Sequence, residues 1–245
     1  MKQFVSTLLV LLVAQTFYAQ KLTSNDLKQI ELSTHKKILT QALTYNDMQT
    51  AINSIHTIII LEGDTSTYKD SLAITYFNDG NYVSSHLLAK ELLQVKPNNT
   101  TLLEINAVSL QNLNATKEAI TAYEILFANT NNMIHGYQLA NLQHGIKRLA
   151  EAQETIQKTL ACKEQENAYI RFSVDNTQTQ NVPLKAAAYN LQGLIEFELK
   201  DNLTANTAFN KALEIMPNFT TATQNAKAVL MQIQREEIKG VEVKN

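Results

Sequence analysis

The sequence predicts an all-α chain built as an array of helical hairpins, and three observations carry that reading. Small residues recur at Ala51, Ser85, Ala119 and Ala152, spaced 34, 34 and 33, and again at Ala205 after 53, one further step plus an insertion. A repeat of this length is one helix–turn–helix unit that buries its apolar face only against its neighbours. Six Gly and three Pro in 245 residues leave long uninterrupted stretches for helix. Apolar residues fall at helical spacing through most of those stretches.

The register extends to neighbouring positions. Twelve residues before each small residue stand Leu39, Ala73, Ala107, Ala140 and Gly193, and four after stand Ile55, Ala89, Tyr123, Ile156 and Phe209. Five before stand Asn46, Gly80, Asn114, Lys147 and Lys200, polar or turn-tolerant residues where each hairpin must reverse. Two helices approach closely only where neither carries bulk, so Gly193 facing Ala205 and Ala107 facing Ala119 form the seams. Tyr123, Phe209, Tyr76 and Tyr189 fill the space between successive hairpins. Leucine at position 119 or 193 is expected to overpack the seam by roughly 1–3 kcal/mol.

The elements follow in order. An apolar stripe from 27 to 43 makes the first helix; Asn46-Asp47 breaks it and caps a second, which Gly63-Asp64 ends. The second hairpin spans 68–77 and 84–95, with Asp79-Gly80-Asn81 as turn and Pro97 as stop. The third spans 102–113 and 117–127, and the fourth 134–145 and 149–160. An insertion then occupies 162–185, where Ile170, Phe172 and Val174 alternate with Tyr169, Arg171 and Ser173. It reads as a loop or small β-hairpin, with Gln180-Asn181-Val182 as the returning strand. As a candidate contact, its deletion over 168–182 is expected to abolish partner binding without unfolding the array. The fifth hairpin has helices at 186–199 and 205–216, and a polar capping helix runs over 220–238. Residues 240–245 form a tail.

The domain organisation expected is therefore a signal peptide at 1–19, N-terminal hairpins at 20–161, the insertion at 162–185, a C-terminal hairpin and capping helix at 186–239, and the tail. Lys2 followed by an apolar core of about eleven residues, 4–14, too short to span a bilayer comfortably, reads as a secretory signal cleaved after Ala19. The expected location is exported, periplasmic or secreted, with no stable membrane insertion after cleavage. The cleaved chain carries 20 basic and 23 acidic residues, which gives no support for nucleic-acid binding. Cys162 stands alone, so no intrachain disulfide forms, and it reads as a small core residue.

No chemistry-bearing pattern emerges. His35, His56, His86, His135 and His144 show no metal-ligand spacing. Phosphate loops, nucleophile elbows and paired cysteines are absent from the sequence. Glu164 with Glu166, and Glu196 with Glu198, read as solvated charges or groove decoration rather than an acid–base pair. No enzymatic activity, metal or cofactor is expected.

The segment Ala188-Tyr189-Asn190-Leu191-Gln192-Gly193, followed by Lys200-Asp201-Asn202, Ala205, Phe209, Lys211-Ala212-Leu213 and Pro217-Asn218, resembles the tetratricopeptide repeat. Asp79-Gly80-Asn81-Tyr82, Ala89, Leu92 and Pro97 match nearly as well, and the resemblance spans about 32–238. Gln192 and Asn131 depart from it, where Leu and Pro are usual. The resemblance implies a right-handed α-α superhelix of about five hairpins plus a C-terminal capping helix. It also implies a concave groove, lined by the first helices, that binds proteins or peptides. Residues expected on that groove are Asp70, Ile74, Phe77, Glu104, Val108, Gln111, Tyr137, Asn141, His144, Asn190, Leu194 and Phe197. They include no basic set of the kind some members use to clamp a C-terminal carboxylate. The function so implied is an interaction scaffold of the bacterial cell envelope; the alternative is a periplasmic holdase for unfolded clients.

Overall fold

The computed structural model describes residues 22–164, 167–174 and 177–242. The expected signal peptide, Glu166 and residues 243–245 of the tail lie outside them. The described residues form two compact units, one up to Asn81 and one from Tyr82 on. In the first, α1 (Ser24–Thr44) and α2 (Met48–Glu62) form a hairpin, and α3 (Tyr68–Asn78) packs on α2. Thr23 and Asp26 form a reciprocal capping box at the start of α1, and the Asp47 carboxylate accepts from the Thr50 amide at 3.1 Å to start α2. The ion pair between Lys36 and Glu62 (2.8 Å) ties α1 to the end of α2.

The second unit comprises α4 (Tyr82–Leu93), α5 (Thr100–Asn112), α6 (Thr116–Thr130), α7 (Met133–Gly145), α8 (Leu149–Ala161), a β-hairpin, α9 (Leu184–Glu198), α10 (Asn202–Ile215) and α11 (Thr220–Glu242). Each helix packs on the next, and α7 and α9 also meet directly. Asn99, Asn132 and Asp201 cap α5, α7 and α10 through their side-chain oxygens. The last helix runs to Glu242, beyond the boundary expected at 239.

The five small register positions are all fully buried, as are Ala73, Ala107 and Ala140. All five reversal positions are left-handed: Asn46 (φ 57°), Gly80 (76°), Asn114 (56°), Lys147 (62°) and Lys200 (69°). The sequence repeat is therefore a repeat of backbone conformation. Phe209 corrects the seam expectation in one respect. Its ring lies inside its own hairpin, against Gly193, as well as reaching Ala226 and Val229 of α11.

The insertion is a β-hairpin. β1 (Tyr169–Ser173) runs antiparallel to β2 (Thr179–Pro183), with Ile170 opposite Val182 and Phe172 opposite Gln180. Alternation puts Ile170, Phe172 and Val182 inward. Phe172 meets the buried Phe219 edge to face at 4.9 Å. The Gln180 amide donates to the Asn218 carbonyl (2.6 Å) and accepts from the Thr220 amide (3.2 Å), so the hairpin braces the turn into α11. It belongs to the core of the second unit, which changes the expectation that its deletion would leave the array folded.

Candidate protein-binding surfaces

In the second unit the first helices of the hairpins, α5, α7 and α9, carry most of the residues expected to meet a partner. Their polar groups are largely bonded to one another. Gln111 accepts from the Tyr123 hydroxyl (2.7 Å) and donates to Gln138 (3.3 Å), joining α5 to α7. Burial, and then the negative charge of Glu104, hold the Tyr123 phenol well above its usual range. His144 Nε2 lies 3.0 Å from Glu198 Oε1, and Lys147 Nζ donates to both Glu198 oxygens at 2.8 and 2.7 Å, joining α7 to α9. The Lys147 hydrogen bond, helped by His144 and opposed by burial, lowers the Glu198 pKa. Asn225 donates to Asn190 at 3.0 Å, joining α9 to α11.

Two of the expected groove residues are closed to solvent. Asn190 is 2% exposed, and Tyr137, at 6%, has its phenol pushed up to about 12 by burial. Val108 packs on the Leu103–Tyr123 cluster, and Leu194 and Phe197 pack on the cluster around Phe209. Asn141 and Glu104 are exposed, with Glu104 at 4.0 Å from the buried His135. In the first unit Ile74 is exposed, and Asp70 and Phe77 are half-buried. Glu196 is not a solvated charge: it is 2% exposed and accepts from Gln153 of α8 at 2.8 Å. Glu164 accepts from Lys185 at 2.8 Å.

A cleft of about 650 Å³ opens on the other side of the hairpins, between the second helices α6 and α8 with α7 as its floor. Glu124, Glu151, Glu154 and Lys158 stand around it, Phe127 and Leu139 supply apolar wall, and Gln143 lines it. Gln143 is 3% exposed, and its Oε1 is buried with no hydrogen-bond donor. Arg148 Nε donates to Glu151 at 2.7 Å and its guanidinium stands 3.8 Å from Glu124, while Lys158 pairs with Glu154 at 2.6 Å. None of the twelve residues expected on the groove lines this cleft. One sequence signal does point to it: Gln143 stands four residues after Leu139 and three after Ala140, an amide on the buried stripe of its helix. A second cleft, of about 330 Å³, lies between α4 and α6, where His86 Nδ1 and Asn106 Oδ1 are 2.8 Å apart.

Among the described residues no group of three or more His, Cys, Asp or Glu could hold a metal, and no helix is long and apolar enough to cross a membrane. Cys162 is buried, burial pushes its thiol up, and its Sγ donates to Asn131 at 3.3 Å, so its surroundings do not favour a reactive thiolate.

No protein-family profile matches the sequence, and no curated protein matches it by sequence. Solved structures do match. MamA is similar over 75% of this chain and 91% of its own, with TM-score 0.59 and 17% identity. MamA of Desulfovibrio magneticus RS-1 is similar over 77% and 97%, with TM-score 0.57 and 16% identity. YrrB, a TPR protein with an unusual peptide-binding site, is similar over 77% and 88%, with TM-score 0.60 and 16% identity. At these identities the likeness speaks to fold. Together with the left-handed reversal at every register position, it establishes that this chain has the tetratricopeptide-repeat fold, all-α and made of stacked helical hairpins.

Proposed function

We propose that the protein is a non-enzymatic interaction scaffold of the cell envelope, exported by its N-terminal segment, that holds a protein or peptide partner without nucleic acid or cofactor. One observation carries this reading: in the second unit, polar side chains join hairpin to hairpin into a frame, while clefts between second helices stay open. Such a frame presents a preformed surface, which lowers the ordering cost of association. Similarity to YrrB, a peptide-binding TPR protein, supports the same reading. The short apolar run after Lys2 supports export. Along the first helices Glu104, Val108, Asn141, Leu194 and Phe197 are offered to the partner.

The test is affinity capture of the tagged chain from crosslinked envelope extract, followed by titration with the purified candidate. One dominant, stoichiometric envelope protein that binds again in pure form supports the scaffold. A broad spread of unfolded clients would replace it with a holdase. Capture of nothing would overturn protein binding altogether.

A further inference from the structure

We infer that the cleft between α6 and α8 is a docking subsite for a cationic side chain, arginine or lysine, carried by the partner segment; this rests on the scaffold reading above. Three features converge on that occupant. First, three carboxylates, Glu124, Glu151 and Glu154, stand around the cleft against two cations, Lys158 in its lining and Arg148 at its edge, which leaves one negative charge in excess. Charge complementarity therefore favours a cation, and fixes register and encounter. Second, Gln143 lines the cleft, and its Oε1, shielded from solvent just beneath it, meets no donor. A buried acceptor left unmet is unfavourable, and a guanidinium or ammonium brings the donors it lacks. Third, Phe127 and Leu139 give the walls an apolar strip, which suits the methylene stem of a long basic side chain. An acidic side chain fails on the first two counts, and a purely apolar one leaves Gln143 as it is.

The pairs already present do not close the site. Arg148 pairs with Glu151 and Lys158 with Glu154 along α8, Arg148 also stands 3.8 Å from Glu124 of α6, and all these side chains are substantially exposed to water. A cation entering from the partner would share Glu124 and Glu154 with them and would meet the Gln143 side chain, whose Oε1 neither of them reaches; the Arg148 amide bonds only the Gln143 main-chain carbonyl, at 2.9 Å.

The probe is a blocked Gly-Gly-Arg-Gly-Gly peptide, titrated into the isotope-labelled whole chain and followed by NMR. Its counterpart carries citrulline, which keeps the shape and removes the charge. The arginine peptide should give saturable shifts at the Gln143 side-chain amide and along residues 124–128 and 151–158, with an affinity on the order of millimolar. Citrulline in place of arginine should weaken binding by roughly tenfold or more. Gln143→Met and Glu154→Gln, each checked for unchanged melting, should weaken the arginine peptide similarly. Equal shifts from the citrulline peptide, shifts elsewhere, or affinity unchanged in both variants would overturn the subsite. An envelope partner still captured at full strength by Glu154→Gln and Gln143→Met would reject the cleft while leaving the scaffold standing. Loss of all capture by the unmodified chain would reject the scaffold itself.

Discussion

The ring of Phe209 stands where a side chain on Gly193 would have to go: a Cβ built on Gly193 would lie 2.5 Å from Phe209 Cε1 and 2.7 Å from Cδ1. Phe209 is fully buried between α9, α10 and α11, so the ring has nowhere to retreat. Glycine is needed here for close approach rather than for its backbone freedom. Even the single methyl of Gly193→Ala should therefore destabilise by about 1–3 kcal/mol, despite the better helix propensity of alanine. The measurement is denaturant unfolding, and Gly193→Ala with Phe209→Leu should cost less than the sum of the two single changes.

Lys200 adopts φ 69° at the turn between α9 and α10. A lysine pays a steric cost there that glycine does not, on the order of 1 kcal/mol, partly offset by the greater freedom of glycine in the unfolded chain. Lys200→Gly should thus stabilise the protein by about 0.5 kcal/mol. Lys147→Gly relieves the same strain at φ 62° but removes both hydrogen bonds to Glu198, and should come out near zero. Paired melting curves of the two variants read the difference directly.

That contrast marks how much of the molecule was legible in the sequence. Asn46, Gly80, Asn114, Lys147 and Lys200 could be aligned by spacing alone, because a hairpin of fixed length must reverse at a fixed place. The β-hairpin was legible as alternation at 169–174, but its role was not, since its anchor Phe219 lies far along the chain. The candidate surface was least legible. Whether Gln111, His144 and Asn190 face a partner depends on Gln138, Glu198 and Asn225, which are 27, 54 and 35 residues away. Glu196 looks like a surface charge until Gln153, 43 residues earlier, is brought against it.

His135 lies buried, with Nδ1 at 2.8 Å from Thr130 Oγ1 and Nε2 facing Glu104 at 4.0 Å. Burial lowers its pKa, and the Glu104 charge opposes only part of that. The folded state then binds this proton less readily than the unfolded chain, so stability rises with pH across the histidine range. The contribution is intact above the ordinary histidine value, about 6.5. It is lost as pH falls from there through the folded value. Melting temperature should fall between pH 7 and 5.5 in the native protein, and less steeply in His135→Gln. The other four histidines are common to both proteins, so the difference between the curves belongs to His135.

Phe172 reaches from β1 to Phe219, and Val182 beside it on β2 is fully buried. If the hairpin were an appended contact loop, truncating its inner row would leave stability unchanged. Because that row covers Phe219 at the entry to α11, Phe172→Ala should destabilise the second unit by about 2 kcal/mol, somewhat below the cost of a fully buried phenylalanine since the ring is only part-buried. Tyr169→Ala, on the exposed row of the same strand, should change stability by no more than about 0.5 kcal/mol. Hydrogen exchange should localise the Phe172→Ala effect to residues 168–183 and the first turns of α11. A variant lacking 168–182 should lose α11 as well, so loss of partner binding in that deletion would not identify the hairpin as a contact. The exposed row, Tyr169 and Arg171, is where a contact can be probed with the fold intact.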